Sequence, residues 1–151
     1  MVFATLSLKG RALRLLSQRE HSRAELVAKL APHVQDGDDL AAVLDDLQAR
    51  DFISEARVAE SVVHRRAAKL GTQRLVQELR GKGLDEDLVR ATAERLRATE
   101  LARAQAVWQQ RFGGQPATRP EERARQMRLL AARGFAGDVV RRVVRGAGDE
   151  I

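Results

Sequence analysis

Three histidines, two adjacent aspartates and one glycine–lysine stretch are the residues of this chain that first invite a catalytic reading. The histidines are His21, His33 and His64. None sits in an H-E-x-x-H pattern and no two are spaced to share a helix face, so they do not form a metal-ligand set. His21 precedes Glu25 by four residues, the spacing of an ordinary helix-surface pair. Asp45 and Asp46 would need to share a proton to act as an acid–base dyad, but neighbours on a helix diverge by about 100°. "RGKG" at 80–83 has the look of a phosphate loop, yet Gly83 stands after Lys82 where such a loop needs Ser or Thr. The chain has no cysteine, which excludes disulfides and thiolate zinc sites. No G-x-S-x-G elbow presents a serine nucleophile. The expectation is a protein that binds rather than catalyses, with no metal and no cofactor.

The chemistry that the residue types do support is charge recognition. Around one helical face lie Arg57, His64, Arg65, Arg66 and Lys69, with Arg74, Arg80 and Lys82 just beyond. A second group comprises Arg125, Arg128, Arg133, Arg141, Arg142 and Arg145. Guanidinium groups make bidentate bonds to carboxylates or phosphates, so both groups are candidate partner-binding surfaces. Net charge is +6, unevenly spread. Residues 1–30 carry +4, 31–56 carry −6, 57–82 carry +5, 83–118 balance, 119–145 carry +5 and the final six −2. A polyanion binder would be uniformly basic; alternating blocks fit a partner that itself carries both signs. Trp108 falls on an apolar stripe with Ala104 and Val107 and reads as a core anchor rather than a stacking platform for bases.

The elements that must position these charges are helices. Apolar residues recur at helical spacing throughout, as in Leu8, Ala12, Leu15 and Leu16, or Leu40, Val43, Leu44 and Leu47, and no strand alternation interrupts them. Ser22 and Glu25 form a capping box, while Thr72, Asp85 and Thr118 are expected helix caps. Read this way, the chain holds nine helices in three sets of three. The sets also echo each other: "LVQELRGKGLDEDLV" at 75–89 is matched by "QMRLLAARGFAGDVV" at 126–140, so that Gly83 recurs as Gly134 and Asp87 as Asp138. A repeat of about fifty residues belongs to helical arrays. Gly83 and Gly134 supply a helix-ending left-handed turn. The expected fold is all-α: three tandem three-helix repeats, 1–53, 54–97 and 98–151, in an elongated, curved array. Units this small lean on their neighbours for stability.

These same stretches carry a family resemblance. "ALRLLSQREHSRAEL" (12–26), "DFISEARVAESVVHRRAAKLG" (51–71), the 75–89 segment and "ERARQMRLLAARGFAGDVVRRVV" (122–144) resemble, in order, the RecX family of bacterial regulatory proteins. One departure is "APHVQDGDDLAAVL" in the first set, where the family usually has a shorter Gly-containing turn. The resemblance implies a non-enzymatic inhibitor of the RecA recombinase. Such an inhibitor binds the groove of the RecA–single-stranded DNA filament, blocks its growth, and lowers ATPase and strand exchange. An elongated array touching successive protomers would add modest contacts through effective concentration. The alternative reading is a direct DNA-binding helical module, and weak single- or double-stranded DNA binding is compatible with either. A generic helical scaffold is a third. No apolar stretch approaches the ~20 residues of a membrane span. The opening "MVFATLSLKGRAL" is too short and too weakly apolar for a signal peptide. Hence the expectation is a cytoplasmic protein, acting as a monomer.

Overall fold

The computed structural model describes residues 5–149, with side chains through residue 146. The first four residues of the opening segment, and the last two of the acidic C-terminal six, lie outside it. Eight α-helices follow one another among the described residues: α1 (Leu8–Gln18), α2 (Arg23–Leu30), α3 (Leu40–Ala49), α4 (Glu55–Arg66), α5 (Thr72–Gly81), α6 (Glu86–Phe112), α7 (Pro120–Ala132) and α8 (Gly137–Asp149). A single 3-10 turn, Ala31–His33, extends α2. The fold is an all-α repeat.

The apolar stripes bury as three separate cores, one for each unit. Leu8, Ala12, Leu26, Leu30, Leu44, Leu47 and Ile53 close the first. Val58, Ala59, Val62, Leu75, Leu79, Val89 and Leu96 belong to the second. Ala104, Val107, Trp108, Leu130, Phe135 and the valines of α8 make the third. Trp108 is a core anchor, and its indole N–H donates to Gln126 Oε1 at 2.9 Å, which satisfies the one polar atom that burial would strand. Because no core spans two units, what joins the units must be sought between them.

Nine expected helices become eight because the last helix of the second set and the first of the third are one. Residues 97–100, "RATE", contain neither glycine nor proline, so nothing stops α6, which runs for 27 residues through both units. Its apolar face passes from Leu96 to Ala104 by way of a buried polar residue, Glu100. The capping box at Ser22 and Glu25 is present, as is the Asp85 cap. Two expected caps are not. Gly71, not Thr72, is the N-cap of α5. Arg119 precedes α7 without a side-chain cap, while the Thr118 amide donates to Glu122. Gly83 and Gly134 adopt φ of +73° and +91°, the left-handed conformation expected at these helix ends.

Candidate binding surface

The two recurring glycines do more than end helices, because each sits in a joint between consecutive units. Between the first and second, Ser22 Oγ donates to the Lys82 carbonyl at 2.6 Å, one residue before Gly83. A Cβ on Gly83 would lie 2.6 Å from that of Ala24. Around this contact, Lys82 Nζ approaches Glu25 at 3.4 Å and Arg19 approaches it at 2.8 Å. Burial alone would push the Glu25 carboxyl up, but Arg19, the Ser22 amide and Lys82 outweigh it and hold its pKa at about 2. Arg57 completes the joint, pairing with Glu20 at 2.9 Å and Asp51 at 3.1 Å across the unit boundary.

The second joint repeats the plan one unit later. Gly71, at the start of α5, donates its amide to the Arg133 carbonyl at 2.8 Å, one residue before Gly134. The Gln73 amide donates to the Gly134 carbonyl at 3.2 Å. Backbones this close leave no room for side chains: a Cβ on Gly71 would stand 2.3 Å from Gly134 backbone atoms. From α6, Glu100 Oε1 accepts the buried Thr72 amide at 2.8 Å, serving as the cap that Gly71 cannot provide. Arg103, on the next turn, donates to the carbonyls of Ala67, Leu70 and Leu96 and so ties the α4–α5 turn to α6. Desolvation lowers the Arg103 pKa, with the Glu100 charge acting in the opposite sense.

The expected surface residues fall into four groups. Arg57 and Lys82 belong to the first joint. Arg74 and Arg133 belong to the second, where Arg74 Nη1 donates to the Ala132 carbonyl at 3.0 Å and Arg133 Nη1 to the Lys69 carbonyl at 3.2 Å. Arg66 and Arg80 are paired within the second unit, with Glu78 at 3.0 Å and Glu86 at 2.6 Å. The remaining five, Arg65, Lys69, Arg125, Arg128 and Arg141, are exposed and make no ion pair among the described residues. Arg142 and Arg145 are exposed likewise. The second joint therefore brings the two basic groups together, Lys69 and Arg74 from one and Arg133 from the other, though about sixty residues separate them in sequence.

The acidic block is mostly engaged by the chain itself. Asp39 caps α3, Asp45 pairs with Arg23 at 2.7 Å, and Asp46 pairs with Lys9 at 3.4 Å and Arg50 at 3.0 Å. His21 is not a helix-surface residue. It precedes the α2 cap, is 1% exposed, and its Nδ1 lies 3.0 Å from the Arg19 carbonyl. Its Nε2 lies 3.2 Å from Lys29 Nζ and must accept, so the ring is neutral with its proton on Nδ1. Among the described residues no group of three or more His, Asp or Glu could hold a metal ion. No described helix is long and apolar enough to cross a membrane.

Small helical units with separate cores and polar joints define an all-α protein of tandem three-helix repeats. Three family models match in sequence: the first three-helix domain of RecX at residues 9–47, the second at 54–92 and the third at 98–144. The second match ends and the third begins within α6, the helix that serves both units. A regulatory protein RecX from Leptothrix cholodnii is 57% identical over 145 residues, covering 96% of this chain and 92% of its own. Another from Ralstonia nicotianae is 53% identical, covering 94% and 89%. The chain belongs to the RecX family of regulatory proteins. The fold agrees with a crystal structure of RecX from Lactobacillus salivarius, with a TM-score of 0.77 at 18% identity over 93% of this chain and 94% of that one.

Proposed function

We propose that this protein is a negative regulator of RecA that lies in the groove of the RecA–single-stranded DNA filament, blocks extension, and lowers ATPase and strand exchange. The observation that carries this reading is the second joint. It fixes two basic segments side by side, with Arg65, Lys69, Arg125, Arg128 and Arg141 exposed around them and in no ion pair among the described residues. A surface of that kind recognises carboxylates or phosphates, and a repeat array offers several such contacts along a polymer. Three tandem units, 1–53, 54–97 and 98–151, are the repeats of that array. The protein acts in the cytoplasm as a monomer.

The deciding measurement is RecA ATPase on single-stranded DNA with this protein added below one copy per recombinase. Loss of activity at those ratios is expected, since an occupied or capped filament silences more than one protomer. Unchanged ATPase, with tight binding to bare DNA that weakens steeply with salt, would instead support the direct DNA-binding module.

A further inference from the structure

The first unit carries a cation cluster that charge counting along the chain does not locate. Most of its charges cancel internally: Lys9, Arg19 and Arg23 each pair with a carboxylate of the same unit. Arg11, Arg14 and Lys29 do not, being in no ion pair among the described residues. All three line one open pocket of about 310 Å3 between α1 and α2, together with His33. Leu15 and Leu30 line it too, with Leu6 at the lip, and no Asp or Glu is among the lining residues. Leu6 is 46% exposed, and the other large exposed apolar side chains of the described residues, Val27, Val34 and Phe52, are also in this unit. Among the described residues, neither the second unit nor the third exposes one.

We propose that this pocket is a docking site for an acidic peptide segment, taking an aliphatic side chain against Leu6, Leu15 and Leu30 and its flanking carboxylates on Arg11, Arg14 and Lys29. Guanidinium forks match carboxylates bidentately. Phosphates satisfy the same forks, so the walls between them decide the occupant. Single-stranded nucleic acid is held by successive aromatic platforms, and this pocket has no Phe, Tyr or Trp in its lining and only the single imidazole of His33. An aliphatic floor instead rewards burial of an apolar side chain, the anchor of peptide recognition. A cavity near the lower end of the roughly 300–1,000 Å3 of small-ligand sites accommodates an anchor of one or two side chains. The site deepens the filament reading and rests on it only for the source of the peptide, the recombinase surface.

Two measurements on the intact 151-residue chain test this. Benzoylphenylalanine in place of Gln18, which lines the same pocket, is photolysed in RecA filaments on oligothymidylate and the adduct sequenced. The expected adduct is a recombinase peptide with carboxylates beside an aliphatic residue, falling roughly tenfold or more in an Arg11→Glu/Arg14→Glu variant with unchanged helicity. An adduct on DNA, no adduct despite ATPase inhibition, or one undiminished in the variant overturns the proposal. If the wild type inhibits no ATPase at all, the filament reading fails on its own. The pocket is then judged by fluorescence anisotropy with a labelled peptide of alternating glutamate and leucine. Binding that is lost in the double variant, and lost when alanine replaces the leucines, supports it. Absent binding, or tighter binding to labelled oligothymidylate that the double variant also abolishes, overturns it.

Discussion

The Gly71 amide donates to the Arg133 carbonyl at 2.8 Å, joining the start of one unit's middle helix to the turn of the next unit. Ser22 and Lys82 make the equivalent contact one unit earlier, through the serine hydroxyl. In each case the accepting carbonyl belongs to the residue before a left-handed glycine. Since each unit has its own core, these polar joints, with α6, set how units sit on one another. An array that follows a polymer depends on that setting more than on any one core.

Gly71→Ala is expected to open the second joint. Its Cβ would meet backbone at 2.3 Å, and backbone cannot yield as a flexible side chain can. Overpacking of this kind costs about 1–3 kcal/mol, so calorimetry should show Tm lowered by several degrees with far-ultraviolet helicity retained. Gly81→Ala is the matched control. Nothing lies within 4 Å of its Cβ, and alanine's helix preference should leave stability unchanged or raised by up to about 1 kcal/mol. Equal losses in both would contradict the role given to the joint.

Glu100→Ala should cost about 1–3 kcal/mol, because it strands the buried Thr72 amide without an acceptor. Glu100→Gln retains an acceptor oxygen and should recover much of this in urea titrations. A Glu100→Ala loss below the scatter of surface substitutions would mean that water replaces the carboxylate.

What the sequence disclosed and what it hid divide along sequence separation. Helix ends at Gly83 and Gly134 are local, and both were legible. The Ser22–Glu25 capping box was legible for the same reason. Thr72 was read as a cap because Thr commonly is one, but its true partner, Glu100, lies 28 residues on and is reached only through the tertiary fold. That same buried glutamate breaks the apolar stripe of α6, which made one helix read as two. Among the basic residues, type and exposure were legible, but not pairing. Arg66 and Arg80 looked equivalent to Arg65, yet each has a carboxylate within reach. Arg11 and Arg14 were counted in a basic block, but only the packing of α1 on α2 shows that they share a pocket with Lys29.

Acid should weaken the first unit and its joint in two windows, His21 acting within the unit and Glu25 at the joint. Burial, with Arg19 and Lys29 nearby, holds the His21 pKa below its usual 6.5, against the backbone bond from Arg19. A histidine kept neutral on folding contributes stability above its unfolded pKa, and this is lost as pH falls below about 6.5. Glu25 is held at about 2 against an ordinary value of 4.5 in the unfolded chain. Its contribution is complete above about 4.5 and fades as pH falls toward 2. Partial exposure screens it to roughly 1–2 kcal/mol. Urea titrations of Glu25→Gln and wild type should therefore differ at neutral pH and converge between about pH 4.5 and 2. His21→Gln should remove the upper window alone. A Glu25→Gln curve parallel to wild type throughout would show that the ion pairs with Arg19 and Lys82 carry no net stability.

Charge reversal separates the free cations from the engaged ones. Arg65 donates only to a carbonyl of its own helix, Ser61, and the Lys69 ammonium is exposed and unpaired among the described residues. Arg65→Glu/Lys69→Glu should therefore leave helicity and Tm within about 0.5 kcal/mol of wild type. If these cations face the filament, it should raise the concentration needed to inhibit RecA ATPase roughly tenfold or more. Arg66→Ala removes a guanidinium already paired with Glu78 at 3.0 Å. A half-exposed pair contributes about 0–1 kcal/mol, so this variant should inhibit almost as well as wild type. Arg65 and Arg66 are consecutive in the last turn of α4, with Lys69 just beyond its end, so Arg66→Glu is the like-for-like comparison with a single Arg65→Glu reversal. Equal inhibition by Arg65→Glu/Lys69→Glu and wild type would move the contact away from the end of α4, to Arg125 and Arg128 on α7 or to Arg141 on α8.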